Sequence, residues 1–121
     1  MARFHARQSL DELERFADVA LDTSHLAVSG VDPVEAVARV GDRLAHVHLS
    51  NNAGKGWDSH LPLDEGVLDL GRFLEALAAR RFRGSISLEI DLRDHLDDDQ
   101  ALRRTLSRNR ELCEAGLALP A

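Results

Sequence analysis

Three stretches of the chain decide its fold: Asp18-Val-Ala-Leu-Asp22, Leu44-Ala-His-Val-His-Leu49 and Ser85-Ile-Ser-Leu-Glu-Ile90. The second and third alternate apolar and polar side chains, which is typical of β-strands with one buried face. Helical patterns lie between the three stretches, and strands that alternate with helices indicate βαβ crossovers and a parallel sheet. The sequence therefore predicts an α/β protein with about three parallel strands.

Capping residues and hydrophobic spacing predict four helices around these strands. The helices are expected over residues 9–17, 32–41, about 69–84 and from 97 onward. Ser9 and Glu12 have the spacing of a capping box, which begins the first helix, with Phe16 facing inward. Residues 23–25 are predicted to form a polar turn, and residues 50–65 a long loop.

The composition predicts a globular protein with a single domain, residues 1–121. Hydrophobic residues make up 44% and charged residues 30%, and no apolar run approaches the ~20 residues that span a bilayer. The polar start lacks the apolar region of a secretory signal, and the single cysteine, Cys113, suits a reducing compartment. A cytoplasmic location is therefore predicted. The net charge of −6 disfavours a nucleic-acid partner, because phosphate binding needs a basic face.

Polar side chains lie at the C-terminal ends of the three predicted strands. Asp22, His48 and Glu89 each lie on the face opposite the apolar side chains of their strand. Parallel α/β sheets place their sites at this end, so two carboxylates and an imidazole are expected to meet there. Oxygen and nitrogen ligands suit a divalent metal such as Mn, Co, Zn or Mg. The sequence predicts a metal site, although an Asp at a strand end is also a common helix cap.

Two loops add further ligand types near this edge of the predicted sheet. His25 follows Asp22 by three residues, and Asp58-Ser-His60 lies in the long loop after the second strand. The Asp and His of each pair can turn toward one ion. The alternatives are structural, since Asp58 can simply begin a turn and His46 is expected to pack beneath the site with hydrogen bonds. Gly54-Lys-Gly56 is interpreted as a plain turn in preference to a phosphate-binding loop.

Four segments in order along the chain form a family pattern. They are Leu21-Asp-Thr-Ser-His25, His46-Val-His-Leu49, His60-Leu-Pro-Leu-Asp-Glu-Gly-Val-Leu-Asp-Leu70 and Gly84-Ser-Ile-Ser-Leu-Glu89. Together they resemble the C-terminal half of the xylose-isomerase-like barrels, a superfamily of sugar-phosphate isomerases, epimerases and endonuclease IV-type DNA repair enzymes. The resemblance spans roughly residues 10–115. It implies a partial (β/α)8 TIM barrel that contains the sixth, seventh and eighth strands.

The resemblance also implies roles for the residues of the predicted site. Asp22, His48 and Glu89 correspond to metal ligands. In the epimerases, the position of His25 faces the substrate, and Glu89 also acts as an acid or base. In the endonuclease branch, three residues bind further metals, here His25, Asp58 and His60.

The chain departs from the family pattern in several places. Asn51 stands where members usually carry Asp, and Asp64 stands where they usually carry Gly. A barrel of this type needs ~250 residues, about twice the length of this chain. No stretch before Ser9 is identified as the fifth strand, which normally supplies another glutamate ligand. A three-stranded fragment leaves two open sheet edges, so a homo-oligomer or a complementing half-barrel is expected.

The leading functional hypothesis, by resemblance, is a metal-dependent isomerase or epimerase acting on a small-molecule sugar or sugar phosphate. The isolated monomer is expected to be inactive, because the second catalytic carboxylate is missing. The first alternative is a metal-dependent phosphodiesterase that cleaves abasic DNA, which the acidic net charge disfavours. The second alternative is a non-catalytic half-barrel that serves as an assembly partner or a metal-binding module, or that survives as a truncated gene product.

Overall fold

The sheet of this protein is seen in a computed structural model that describes residues 1–118. Four parallel strands lie side by side in chain order: β1 (Ala2–Arg3), β2 (Val19–Asp22), β3 (Leu44–Leu49) and β4 (Ser85–Leu88). The parallel α/β class is therefore confirmed, and the predicted number of about three strands is too low by one. The additional strand, β1, is two residues long, and so short a segment shows no hydrophobic periodicity.

Helices and short 3-10 turns connect the strands. The α-helices are α1 (Thr23–Val28), α2 (Pro33–Val40), α3 (Leu70–Ala79) and α4 (Asp99–Leu117). The 3-10 turns cover Leu10–Leu13, Gly41–Arg43 and Arg93–His95. The three longer helices begin alike, because each has an N-cap aspartate whose side chain accepts a backbone N–H hydrogen bond: Asp32, Asp69 and Asp98.

The predicted helix over 9–17 is wrong. The capping box of Ser9 and Glu12 is present, but it begins only the 3-10 turn Leu10–Leu13. The guanidinium of Arg43 donates to three carbonyl oxygens that a continuing helix would use, those of Leu13, Glu14 and Phe16. Phe16, expected to face inward, is 36% exposed.

The predicted polar turn at residues 23–25 is instead the first turn of α1. The helix begins directly after β2 because Asp22, at its N-cap, accepts a hydrogen bond from the backbone N–H of His25 at 3.1 Å. Sequence reasoning missed this helix because six residues show too little periodicity. Asp22 is therefore both the last residue of β2 and the N-cap of α1, at the C-terminal edge of the sheet.

The hydrophobic core lies on one side of the sheet, between the strands and the helices. Val19, Leu21, Val47 and Leu49 point to this side and are fully buried. They belong to the same cluster as side chains of α2 and α3, among them Val37, Phe73 and Leu77. The helix α4 packs on α3, with Cys113 buried. No helix within residues 1–118 is long and apolar enough to cross a membrane.

The long loop between β3 and α3 is organised by Asn51, which is 1% exposed. Its amide nitrogen donates to the carbonyl oxygens of Leu63 (2.9 Å) and Leu68 (3.0 Å). Its amide oxygen accepts from the backbone N–H groups of Asn52 and Leu68. An ionised carboxylate could accept the last two hydrogen bonds but could not donate the first two. The Asn at this position therefore holds the loop that brings residues 58–60 toward the strand ends.

Candidate metal centre

The C-terminal ends of three neighbouring strands bring Asp22, His48 and Glu89 together. Asp22 is the last residue of β2 and pairs with His48 of β3 in the sheet register. Glu89 follows β4 directly, and its backbone N–H donates to the carbonyl oxygen of Leu49 at 3.0 Å. The register places the three side chains on one face and at one edge. Their ligand atoms all lie within 4.8 Å of one another.

The centre of this group is the ring nitrogen Nδ1 of His48. It lies 2.8 Å from Oε1 of Glu89 and 3.8 Å from Oδ2 of Asp22. His48 is 16% exposed and Glu89 is 34% exposed, so the group can be reached from solvent. We call Asp22, His48 and Glu89 the strand-end cluster.

The two carboxylate oxygens of Asp22 have different surroundings. The residue is 1% exposed, and its Oδ1 accepts the hydrogen bond that caps α1. Its Oδ2 is buried and has no hydrogen-bond partner among residues 1–118. A buried carboxylate oxygen without a partner costs free energy, and a coordinated cation removes that cost. The two interpretations of Asp22 are therefore compatible, because one oxygen caps the helix and the other remains available for a ligand.

A second group of side chains lies next to the first and shares Asp22. Nε2 of His25 lies 2.9 Å from Oδ2 of Asp58 and 3.6 Å from Oδ2 of Asp22. The ligand atoms of these three residues also lie within 4.8 Å of one another. His60 extends the group, with Nε2 at 3.2 Å from the same Asp58 oxygen. We call His25, Asp58 and His60 the loop cluster.

Backbone carbonyls orient both histidines of the loop cluster. Nδ1 of His25 lies 3.1 Å from the carbonyl oxygen of Phe4, and Nδ1 of His60 lies 3.0 Å from that of Glu89. A carbonyl oxygen only accepts, so each Nδ1 carries the hydrogen. An Nε2–H hydrogen bond to Asp58 would then need a ring that carries hydrogens on both nitrogens, whereas a neutral ring would face the carboxylate with a lone pair, an arrangement that a cation between the two would stabilise. A hydrogen bond from the far ring nitrogen is the usual way in which a metal-binding histidine is oriented.

The charge of Asp58 is stabilised by its surroundings. Burial alone would raise the pKa of this carboxyl, but the Ser24 hydrogen bond and the nearby His60 and His25 outweigh it, so the pKa lies below its ordinary value. The hydroxyl of Ser24 donates to Oδ1 of Asp58 at 2.6 Å. Ser24 in turn accepts from the side-chain amide of Asn52 at 2.9 Å. Asp58 is thus held in place as an anion by side chains from α1 and the long loop.

Two residues that contact these clusters were not predicted from the sequence. One is Ser24, which was assigned to a polar turn. The other is Arg3 of β1, whose Nη2 lies 3.0 Å from Nδ1 of His48 and 3.6 Å from Oδ2 of Asp22. No sequence signal could have identified Arg3, because neither its strand nor the pairing of that strand with β2 was predicted.

His46 lies on the same face as His48, one step closer to the start of β3. Its Nδ1 lies 2.6 Å from the hydroxyl of Ser85, and its Nε2 lies 3.3 Å from that of Ser87. Its ring contacts the ring of His48 edge-on, with centroids 4.8 Å apart. These contacts agree with the expectation of a hydrogen-bonded residue beneath the site.

Comparison with known proteins identifies the architecture to which these strands belong. Residues 4–112 match the family described as the xylose isomerase-like TIM barrel. The chain is a member of this family. The resemblance inferred from the four sequence segments is therefore confirmed, and the sheet is part of a TIM barrel.

The relatives of this xylose isomerase-like chain are longer than it is. An uncharacterized protein of Mycobacterium leprae is 36% identical over 74 residues, which are 61% of this chain and 26% of the relative. An uncharacterized protein of Mycobacterium tuberculosis is 34% identical over 83 residues, which are 68% of this chain and 30% of the relative. The chain therefore spans less than a third of the length of these curated relatives.

A solved structure supports the same architecture. The crystal structure of a D-tagatose 3-epimerase-like protein superimposes with a TM-score of 0.59 at 27% sequence identity. The match covers 88% of this chain and 42% of that protein. The chain thus corresponds in structure to under half of that epimerase-like protein.

Proposed function

We propose that the chain carries the strand-end part of a divalent metal site that isomerises or epimerises a sugar or sugar phosphate. The observation that carries this proposal is the buried Oδ2 of Asp22, which lies beside His48 and Glu89 and has no hydrogen-bond partner within residues 1–118. Family membership and the epimerase-like structural neighbour support the choice of reaction class.

The donor set fits a divalent cation. His48 has Glu89 at 2.8 Å and Arg3 at 3.0 Å from the same Nδ1. One ring nitrogen cannot donate to a carboxylate and accept from a guanidinium at the same time. A cation between His48, Asp22 and Glu89 would satisfy the lone pairs of all three. Two oxygens and one nitrogen suit Mn, Co, Zn or Mg.

The bound cation would supply Lewis-acid chemistry, polarising the carbonyl and hydroxyl oxygens of the sugar. The protein side chains would provide the proton transfer. Glu89 is the candidate acid or base, because its partly exposed carboxylate can accept a proton from the carbon next to the carbonyl. His25, 13% exposed and fixed by the Phe4 carbonyl, is the candidate group that contacts a substrate hydroxyl.

A full site needs groups that residues 1–118 do not bring together. Proton transfer on both faces of a sugar carbon needs a second carboxylate besides Glu89. The strands β1 and β4 are also sheet edges within the described residues, where a closed barrel would continue. We expect further strands, from a complementing half-barrel or a second copy, to provide that carboxylate. The 121-residue chain alone should therefore bind metal without turning over sugar.

The metal site is tested by isothermal titration and native mass spectrometry of the chain with Mn²⁺, Co²⁺ or Zn²⁺. One tightly bound ion per chain is expected, and Asp22→Asn and His48→Ala should each abolish that binding. His95→Ala is the matched control, since this histidine lies in neither cluster and its loss should change nothing. Equal binding by all four proteins would overturn the proposed ligand set.

The same mass spectra test the partner. A species of twice the monomer mass would support completion of the sheet by a second copy, and a monomer would favour a complementing half-barrel. Turnover is tested by incubating dilute monomer with a ketose in deuterium oxide. Deuterium entering the carbon next to the carbonyl would contradict the requirement for further strands.

The loop cluster favours a second candidate function. His25, Asp58 and His60 offer ligands for additional ions beside the strand-end cluster. A site with several metals suits hydrolysis of a phosphodiester, which is the reaction of the alternative hypothesis, a phosphodiesterase that cleaves abasic DNA. The net charge of −6 opposes binding of a nucleic acid. Two or three ions per chain, with cleavage of an abasic duplex once the barrel is complete, would favour this function over sugar isomerisation.

A further inference from the structure

Arg3 places a positive charge within the strand-end cluster. Its Nη2 lies 3.0 Å from Nδ1 of His48 and 3.6 Å from the buried Oδ2 of Asp22. These are two of the three residues proposed above to hold a divalent cation. Arg3 is thus the protein's own cation at the proposed metal position.

The guanidinium and a metal ion need the same electrons. A guanidinium has N–H donors and no acceptor, so its contact with His48 requires the lone pair of Nδ1. That lone pair points in the plane of the ring, and a metal coordinated through Nδ1 would use it. The Oδ2 of Asp22, which has no hydrogen-bond partner in residues 1–118, lies 3.6 Å from Nη2 of Arg3 and 3.6 Å from Nε2 of His25, and of these two groups the guanidinium always carries a positive charge. The two cations would therefore compete for the lone pair of Nδ1 and repel one another beside Asp22.

We propose that Arg3 competes with the divalent cation for His48 and Asp22 and swings out of the cluster when the cation binds. This inference rests on the proposed metal site and deepens it. In the metal-free protein, Arg3 partly neutralises the buried charge of Asp22. In the metal-bound protein, the guanidinium would lie at the edge of the site, where it could donate a hydrogen bond to an oxygen of the bound sugar.

The surroundings of Arg3 allow this exchange. Its side chain is 42% exposed, so solvent can receive the guanidinium after it leaves. Its backbone is held in β1 by the residues on either side. The N–H of Ala2 donates to the carbonyl oxygen of Asp18, and the N–H of Phe4 donates to that of Ala20, both at 2.9 Å. The exchange therefore needs rotation of a side chain and no change in the sheet.

Competition predicts opposite effects of Arg3 on the two states of the protein. Removal of the guanidinium takes a favourable charge away from Asp22 in the metal-free state, which should lower the melting temperature without metal. It also removes a competitor, which should tighten metal binding. A purely structural role would lower the melting temperature with and without metal and would leave the affinity unchanged or weaker.

The experiment is isothermal titration of Mn²⁺ into the native chain and into Arg3→Met, which keeps the length of the side chain and loses the charge. Arg104→Met, at an exposed position of α4, is the control for the same change in net charge. We expect Arg3→Met to bind about two- to fivefold more tightly than the native chain, the scale of one partly screened charge pair. Arg104→Met should bind like the native chain. Arg3→Lys should return the affinity toward the native value, because an ammonium can still compete.

The remaining outcomes are equally decisive. Equal affinities for Arg3→Met and Arg104→Met, or weaker binding by Arg3→Met, would overturn the competition while leaving the metal site intact. Binding by neither the native chain nor Arg3→Met would overturn the proposed metal site and this inference with it. Circular dichroism checks folding, and Arg3→Gln, which is also neutral and is more polar, replaces Arg3→Met if that variant does not fold.

Discussion

The two faces of the sheet differ in what covers them. On the helix-facing side, Val19, Leu21, Val47 and Leu49 are all fully buried. On the other side, the neighbouring positions of β4 are exposed serines, Ser85 and Ser87, and the histidines of β3 are only partly covered. The first face contributes to stability by removing apolar area from water. The second face carries the proposed chemistry and is left for other strands of a barrel.

The largest expected effect concerns the helix-facing side. Leu49→Ala should lower the free energy of unfolding by about 3 kcal/mol, because it leaves a cavity in a closed core. Ser87→Ala, two positions from the site on the open face, should change it by less than about 0.5 kcal/mol. Urea denaturation followed by circular dichroism measures both. Similar losses for the two variants would show that the open face is covered in solution.

Asn51 tests whether a buried polar residue contributes as much to the free energy of unfolding as a buried apolar one. Asn51→Asp should lower the free energy of unfolding by about 2 kcal/mol, because the carbonyls of Leu63 and Leu68 lose their donors and face a buried carboxylate. The same urea titration measures the loss. Asn51→Ser, which keeps a donor without adding charge, should lose less than Asn51→Asp. A fully stable Asn51→Asp protein would contradict the assigned hydrogen bonds.

Glu89 lies on the open face, and we expect its substitution to affect metal binding strongly and the free energy of unfolding little. Glu89→Gln is expected to weaken Mn²⁺ binding by at least about tenfold, the loss caused even by indirect partners of metal ligands. The free energy of unfolding without metal should change by less than about 1 kcal/mol, since the contact between Glu89 and His48 is partly exposed. Glu75→Gln on α3 is the control for charge. Unchanged affinity in Glu89→Gln would exclude this carboxylate as a ligand.

The smallest expected effect is the reactivity of Cys113, on the helix-covered side of the sheet. Burial, assisted by the neighbouring Glu114, raises the pKa of this thiol above its ordinary value. The thiolate is the reactive form, so alkylation by iodoacetamide near pH 8 should be slow in the folded protein and rapid in urea. The pKa of this thiol is higher in the folded protein than in the unfolded chain. The neutral thiol therefore contributes its full share of stability at pH values below the pKa of the unfolded chain. That stability should be lost as the pH rises through the folded pKa. Equal alkylation rates in buffer and in urea would contradict burial of Cys113.

Much of the candidate site could be predicted because its residues lie on recognisable strands. Alternation in Leu44–Leu49 placed His48 opposite the apolar face, and the structure pairs it with Asp22. The additional strand, β1, could not be predicted, because Ala2–Arg3 is a strand only through its pairing with β2. The helix over 9–17 was wrong because the favourable capping box is local, whereas the Arg43 side chain that binds the following carbonyls comes from elsewhere in the chain.

The sequence by itself determined the parallel α/β class, the polar and apolar faces of the strands and the chemical types of the candidate ligands. These depend on side-chain periodicity and on residue identity, which are local properties. Only the tertiary structure decided which atoms meet: the Nε2 atoms of His25 and His60 near Asp58, the guanidinium of Arg3 beside His48, and the buried Oδ2 of Asp22, to which no described residue donates a hydrogen bond. Those contacts depend on strand register and loop path, which arise from packing between residues far apart in the chain.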